Sequence, residues 1–88
     1  LQPPTELSVT PTSAGSLSYT FSWNEATGGT GPYYYSPYCD GIQLTGYDDS
    51  TSYSGTVTSY GKHIFKVKVY DVGGGIVQDS NEYTYNFT

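Results

Sequence analysis

The sequence predicts an all-β fold, an antiparallel immunoglobulin or fibronectin III-like β-sandwich of six to seven strands, on three observations. Apolar and aromatic residues alternate with polar ones at period two in several short runs, as in strands with one face on a core and one in water. Glycine and proline, 11 and 5 of 88 residues, punctuate the chain between those runs. No window of eleven residues carries the 3.6-residue period of an amphipathic helix.

The elements follow in order. Residues 1–5, with Pro3 and Pro4 in succession, read as the stiff end of a linker, and residues 6–88 as a single domain. Because the chain starts at Leu1 without methionine, it reads as a piece of a larger or processed protein. Glu6 to Thr10 suits a first edge strand, ended by Pro11 and the turn-prone Ser13–Ser16. Leu17, Tyr19, Phe21 and Trp23 alternate with Ser18, Thr20 and Ser22, the best strand of the N-terminal half. Asn24 to Pro32 is a loop, and Tyr33 to Cys39 an aromatic strand in which Pro37 demands a bulge or an edge. Asp40-Gly41 is a two-residue hairpin turn, since both residues tolerate positive φ, with Ile42 to Leu44 as its return strand. After a polar loop, Thr51 to Thr58 alternates weakly. Lys62 to Tyr70 then places His63, Phe65, Val67 and Val69 on one face of a core strand. Asp71 to Gly75 turns the chain into a last strand in which Tyr83, Tyr85 and Phe87 alternate with Glu82, Thr84 and Asn86. The core is expected to contain Leu17, Phe21, Trp23, Phe65, Val67 and Val69. Setting Phe65 opposite Tyr83 puts Lys66 opposite Glu82.

Composition excludes several partners and chemistries. Three lysines, no arginine and eight carboxylates give a net charge of −5, so the cationic footprint for a phosphate backbone is missing and nucleic acid is not expected. No apolar run is long enough to insert in a membrane. Cys39, the single cysteine, has no partner for an internal disulfide and reads as a buried small side chain. Nucleophilic catalysis would need a Ser or Cys beside His63 and an orienting carboxylate such as Asp71, but His63 falls on the inward face, and no enzyme activity is expected. One Cys and one His fall short of the four ligands of a structural zinc. The cofactor expectation is none, with calcium the one metal left open: Asp40, Asp48, Asp49 and Asp71 lie at loops or strand ends and offer hard oxygen ligands, or else cap turns.

Eleven of the aromatic residues are tyrosines. Neighbours in a strand point to opposite faces, so Tyr33, Tyr34, Tyr35 and Tyr38 cannot all enter one core, and these four are the candidate ligand-binding residues. Their other role is to cover a hydroxyl-rich sheet as cross-strand pairs. Asn86-Phe87-Thr88 is an Asn-x-Thr sequon, which makes Asn86 a glycosylation candidate in a secreted protein.

Taken together, the GGTGPYYY of Gly28 to Tyr35, the Asp40-Gly41 turn, and Gly61, Phe65, Val67, Val69 and Asp71 at their spacing resemble a PKD-type (polycystic-kidney-disease) domain, over roughly residues 6 to 87. His63 stands where that family has tyrosine, and Ser36 to Gly41 is shorter than the family's segment. The resemblance implies an immunoglobulin-like module of a prokaryotic extracellular or surface protein, such as a surface layer or a secreted hydrolase. The expected function is therefore a non-catalytic spacer, adhesive or assembling unit at the cell surface, whose partners are neighbouring domains or other surface proteins. Two alternatives stand beside it. One is a carbohydrate- or protein-binding module that presents exposed tyrosines to polysaccharide, or serves a hydrolase as accessory. The other is an engineered Tyr/Ser-rich binder with YYYSPY as its selected loop.

Overall fold

A computed structural model describes all 88 residues, Leu1 to Thr88, as eight antiparallel strands without a helix. One sheet contains β1 (Thr5–Pro11), β2 (Ser18–Asn24) and β5 (Ser52–Thr56) in the order β1-β2-β5. The other is built on β6 (Gly61–Asp71), with β3 (Tyr33–Cys39) and β4 (Ile42–Gln43) to one side, and β7 (Ile76–Asp79) and β8 (Tyr83–Phe87) to the other. This is the all-β sandwich that the periodicity predicts. With no helix, nothing helical is long and apolar enough to cross a membrane.

Alternation decides which side chains meet between the sheets. β2 contributes Tyr19, Phe21 and Trp23, β6 contributes Phe65, Val67 and Val69, and β3 contributes Tyr35 and Cys39. Phe65 is central, its ring 5.2 Å from both Tyr19 and Phe21 in edge-to-face geometry. Burying each such side chain stabilises the fold by about 1.5–3 kcal/mol. Leu17, expected in the core, packs only at its margin: it lies just before β2, where its carbonyl accepts the Val57 N–H at 3.0 Å. On the opposite surface of β2, Ser18 bonds Thr56 at 2.9 Å and Thr20 bonds Ser54 at 3.4 Å, a hydroxyl ladder facing water.

The structure refines three local expectations. Pro37 is accommodated without a bulge: its carbonyl accepts from the Leu44 N–H on the β4 side, so the donor it lacks faces the gap where that short strand has ended. Eight strands replace six to seven because the last one is broken. β7 and β8 occupy the same edge of β6 with registers one residue apart, Lys68 opposite Asp79 and Phe65 opposite Tyr83. Between them Ser80 bonds both polar backbone groups of Val67, its N–H to the carbonyl and its hydroxyl to the N–H. The break brings Asp79, rather than Glu82, to Lys66 at 3.1 Å.

The opening residues, expected as a linker end, are docked. Gln2 and Thr27 exchange two backbone hydrogen bonds at 2.7 and 3.1 Å, Pro4 is buried, and Leu1 packs against the core. Leu1 meets Gly29 beside Asp71, at one end of β6, whereas Phe87 pairs with Gly61 at the other. Ten residue steps, about 33 Å, separate those ends. The Cα trace measures 41 × 20 × 19 Å, so the first and last residues lie at opposite poles of an elongated body.

Candidate functional site

Three groups of chemistry-bearing side chains arise from the register of β3 on β6, in which Tyr33 faces Asp71 and Cys39 faces Phe65.

The first is tyrosine. Odd-numbered residues of β3 point inward and even-numbered ones outward, which divides the four candidates. Tyr35 is only 2% exposed; its ring packs on Trp23 and its hydroxyl accepts the Ala26 N–H at 3.0 Å. Burial, opposed by that hydrogen bond, pushes its pKa up. Tyr35 is therefore a core residue rather than a ligand contact. Tyr33 leans on the core margin and accepts the Gly29 N–H at 2.9 Å. Tyr34 and Tyr38 face outward, opposite Tyr70 and Lys66. Lys66 and Lys68 lie 5.5 and 5.4 Å from the Tyr38 ring centroid, within cation–π range. Lys62, Lys66 and Lys68, every cation of the chain, share this outer face of β6 with Tyr70, over which Tyr47 packs at 6.2 Å. YYYSPY is thus strand, not a loop that selection could vary freely.

The second group is the four aspartates, which the fold does not gather. Asp71 and Asp40 sit at opposite ends of the β3–β6 ladder, roughly 20 Å apart at about 3.3 Å per residue. Asp48 accepts the Ser50 N–H at 2.9 Å in a local turn, and Asp49 is exposed. Asp71 is 1% exposed and clamps two glycine-rich loops, accepting N–H groups from Thr30 at 3.0 Å, Gly31 at 2.8 Å and Gly74 at 3.4 Å. Burial works to raise its pKa, but these three donors prevail and hold it below the ordinary carboxylate value near 3.8. The stability that follows is fully present above about pH 4 and lost as pH falls through the depressed value. Asp71→Asn should therefore lower the melting temperature at neutral pH and flatten its decline below about pH 4. Thermal melts from acid to neutral pH check this, and an unchanged acid slope would reject the clamp.

The third group, Cys39, Asp40 and His63, is the only set of three or more His, Cys, Asp or Glu side chains whose ligand atoms converge, all within 4.8 Å of one another. Asp40 and Gly41 form the expected tight turn with φ of +52° and +79°. That turn carries the Asp40 carboxylate back across β6: Oδ1 accepts the Ile64 N–H at 2.8 Å, and Oδ2 lies 2.6 Å from His63 Nδ1. The other ring nitrogen, Nε2, donates to the Ser59 carbonyl at 2.8 Å. The Asp40 hydrogen bond, then the Ser59 carbonyl, raise the histidine pKa against the effect of burial. Burial likewise works to raise that of Asp40, which the Ile64 N–H and His63 bring below its ordinary value. Burial, then the Asp40 charge, push the Cys39 thiol up to about 11. A neutral thiol beside an imidazole whose nitrogens are both engaged supplies neither nucleophile nor base in this state.

All three side chains line a cavity of about 190 Å³ walled by Tyr19, Ile42, Leu44 and Val57. A larger cleft of about 470 Å³ lies under the Pro11–Ser16 turn, against Tyr85 and Thr88, and is lined mainly by hydroxyl and glycine groups without a carboxylate, thiol or imidazole. The sequence placed His63 inward and Cys39 beside a turn. It offered Asp71 only as an example of the carboxylate a rejected catalytic triad would need, whereas the carboxylate that meets His63 is Asp40; the Cys-Asp-Gly adjacency was the available signal. Asn86, on β8, is exposed opposite Lys62. No protein-family model and no curated protein matches the chain.

Proposed function

We propose that the domain is a non-catalytic spacer or assembling unit of an extracellular or surface protein, as its PKD-type resemblance implies. The observation that carries this reading is the position of the chain's ends at opposite poles of the 41 Å axis. A sandwich with that geometry, repeated or joined to neighbours, adds its full length to a surface structure. Docking of Leu1 to Pro4 against the body stiffens the junction, because a segment held by backbone hydrogen bonds does not swivel. The low content of ionic groups fits an exposed setting of varying pH and salt, where few ion pairs are available to be lost.

Two copies joined directly, Thr88 to Leu1, test it by small-angle X-ray scattering. The expected maximum dimension approaches twice 41 Å. A folded-back pair no longer than one domain would overturn the spacer reading.

A second reading, a polysaccharide-binding module, is favoured by the outer face of β6. There Tyr34 and Tyr38 lie on one face with Lys66 and Lys68, two of the three lysines of an otherwise acidic chain, which suits stacking on sugar rings that carry acidic groups. On this reading Tyr34 and Tyr38 make contact, and Tyr33 and Tyr35 support them from within.

A further inference from the structure

We propose that the protein binds one zinc-class divalent ion through Cys39 Sγ, Asp40 Oδ2 and His63 Nδ1, with a fourth position open to the cavity beside them. A tetrahedral ion with ligands at about 2.0–2.3 Å spaces them roughly 3.3–3.7 Å apart. The three atoms here already lie within 4.8 Å of one another, with Nδ1 to Oδ2 at 2.6 Å. Side-chain rotations of about 1 Å therefore suffice to admit the ion, with no change in the strands.

Two features beyond proximity point to a metal. A ligating imidazole characteristically donates its other N–H to a carbonyl or carboxylate, which fixes the tautomer and aims the lone pair. His63 does this through Nε2 to the Ser59 carbonyl at 2.8 Å, leaving Nδ1 directed at Asp40. Asp40 is similarly braced: Oδ1 is engaged by the Ile64 N–H, and Oδ2 is left toward His63. The second feature is access. All three donors line the same half-open cavity of about 190 Å³, which gives the ion an entry path and leaves room for water as fourth ligand.

The donor set selects the ion. One thiolate, one imidazole and one carboxylate form a borderline set that suits Zn²⁺ or Co²⁺; calcium prefers six to eight oxygens. As the ion binds, two protons leave to solvent: the one that His63 Nδ1 donates to Asp40 Oδ2, which frees the Nδ1 lone pair, and that of the Cys39 thiol, whose Sγ becomes the thiolate ligand. Counting Cys and His alone leaves the site two ligands short, and Asp40 with water makes up the four. The site does not depend on the spacer reading, since a metal clip between the β3–β4 turn and β6 would serve any role of the domain.

The test titrates Co²⁺ into the reduced 88-residue chain in chelator-free buffer. An equimolar thiolate-to-cobalt charge-transfer band in the near ultraviolet is expected, and one equivalent of Zn²⁺ should erase it. Cys39→Ser should abolish the band and His63→Gln weaken cobalt binding at least roughly tenfold, while Asp79→Asn, on the outer face, changes nothing. Circular dichroism verifies the fold of each variant. Where one unfolds, the ring resonances of the wild-type chain's single histidine decide instead, with Zn²⁺ expected to shift Nδ1 more than Nε2. No charge-transfer band, a band that survives Cys39→Ser, affinity indifferent to His63→Gln, or unmoved histidine resonances would overturn the proposal.

Discussion

Replacing Trp23 with alanine is expected to remove about 3–5 kcal/mol of stability, a large part of the roughly 5–15 kcal/mol that holds a small domain folded. The indole is 5% exposed and lies between Phe21, at 5.0 Å, and Tyr35, at 6.0 Å, so its loss leaves a cavity walled by rigid rings that close poorly over it. Its Nε1–H is buried without a hydrogen-bond partner in the protein. Trp23→Phe deletes that stranded donor along with part of the packing, and should therefore cost much less than the alanine change. Urea unfolding of the three proteins separates the effects. Equal losses in both variants would show that the missing volume is not what matters, and no loss in either would place Trp23 outside the core.

The second large effect is expected at Tyr35. Tyr35→Ala should cost about 3–5 kcal/mol, as for other large buried aromatics. Tyr35→Phe keeps the ring and strands the Ala26 N–H, at about 1–3 kcal/mol. Tyr34→Ala and Tyr38→Ala, on the outer face, should each cost about 1 kcal/mol or less. The same variants separate the two functional readings in affinity electrophoresis through an acidic polysaccharide. Retardation that disappears in Tyr38→Ala but persists in Tyr35→Phe supports a binding face, and mobility that no polysaccharide alters supports the spacer alone. Thermal melts alongside the gels ensure that a folded protein is compared in every lane.

Turn chemistry and period-two alternation settle in advance much of what the fold contains. Asp40-Gly41 turns as a two-residue hairpin because both residues accept positive φ, and no distant contact is needed to decide that. In β6 Phe65, Val67 and Val69 alternate with Lys66 and Lys68, so a single strand already declares which face enters the core, although Ile64 stands on the outer one. Tyr33, Tyr34 and Tyr35 carry no such information. Three identical residues in succession fit either parity, and it is the pairing of Tyr35 with Val69 and Cys39 with Phe65 that sends the odd positions inward. The partner of Lys66 was equally beyond local reasoning. Ser80 satisfies Val67 with its own backbone and side chain, slips the last strand by one residue, and delivers Asp79 in place of Glu82.

The cluster of Cys39, Asp40 and His63 shows the same division. Sequence alone established that Cys39 precedes a tight turn and that His63 points into the sandwich. Their convergence depends on the β3–β6 register and on the left-handed backbone of Asp40, which returns its carboxylate across the neighbouring strand. The aspartates show the converse, since Asp40 and Asp71, similar loop carboxylates in the sequence, were set at opposite ends of one ladder. Local pattern determines face and turn because those depend on neighbours a few bonds away. Which side chains meet depends on strand register, a long-range choice made by the packing of the whole core.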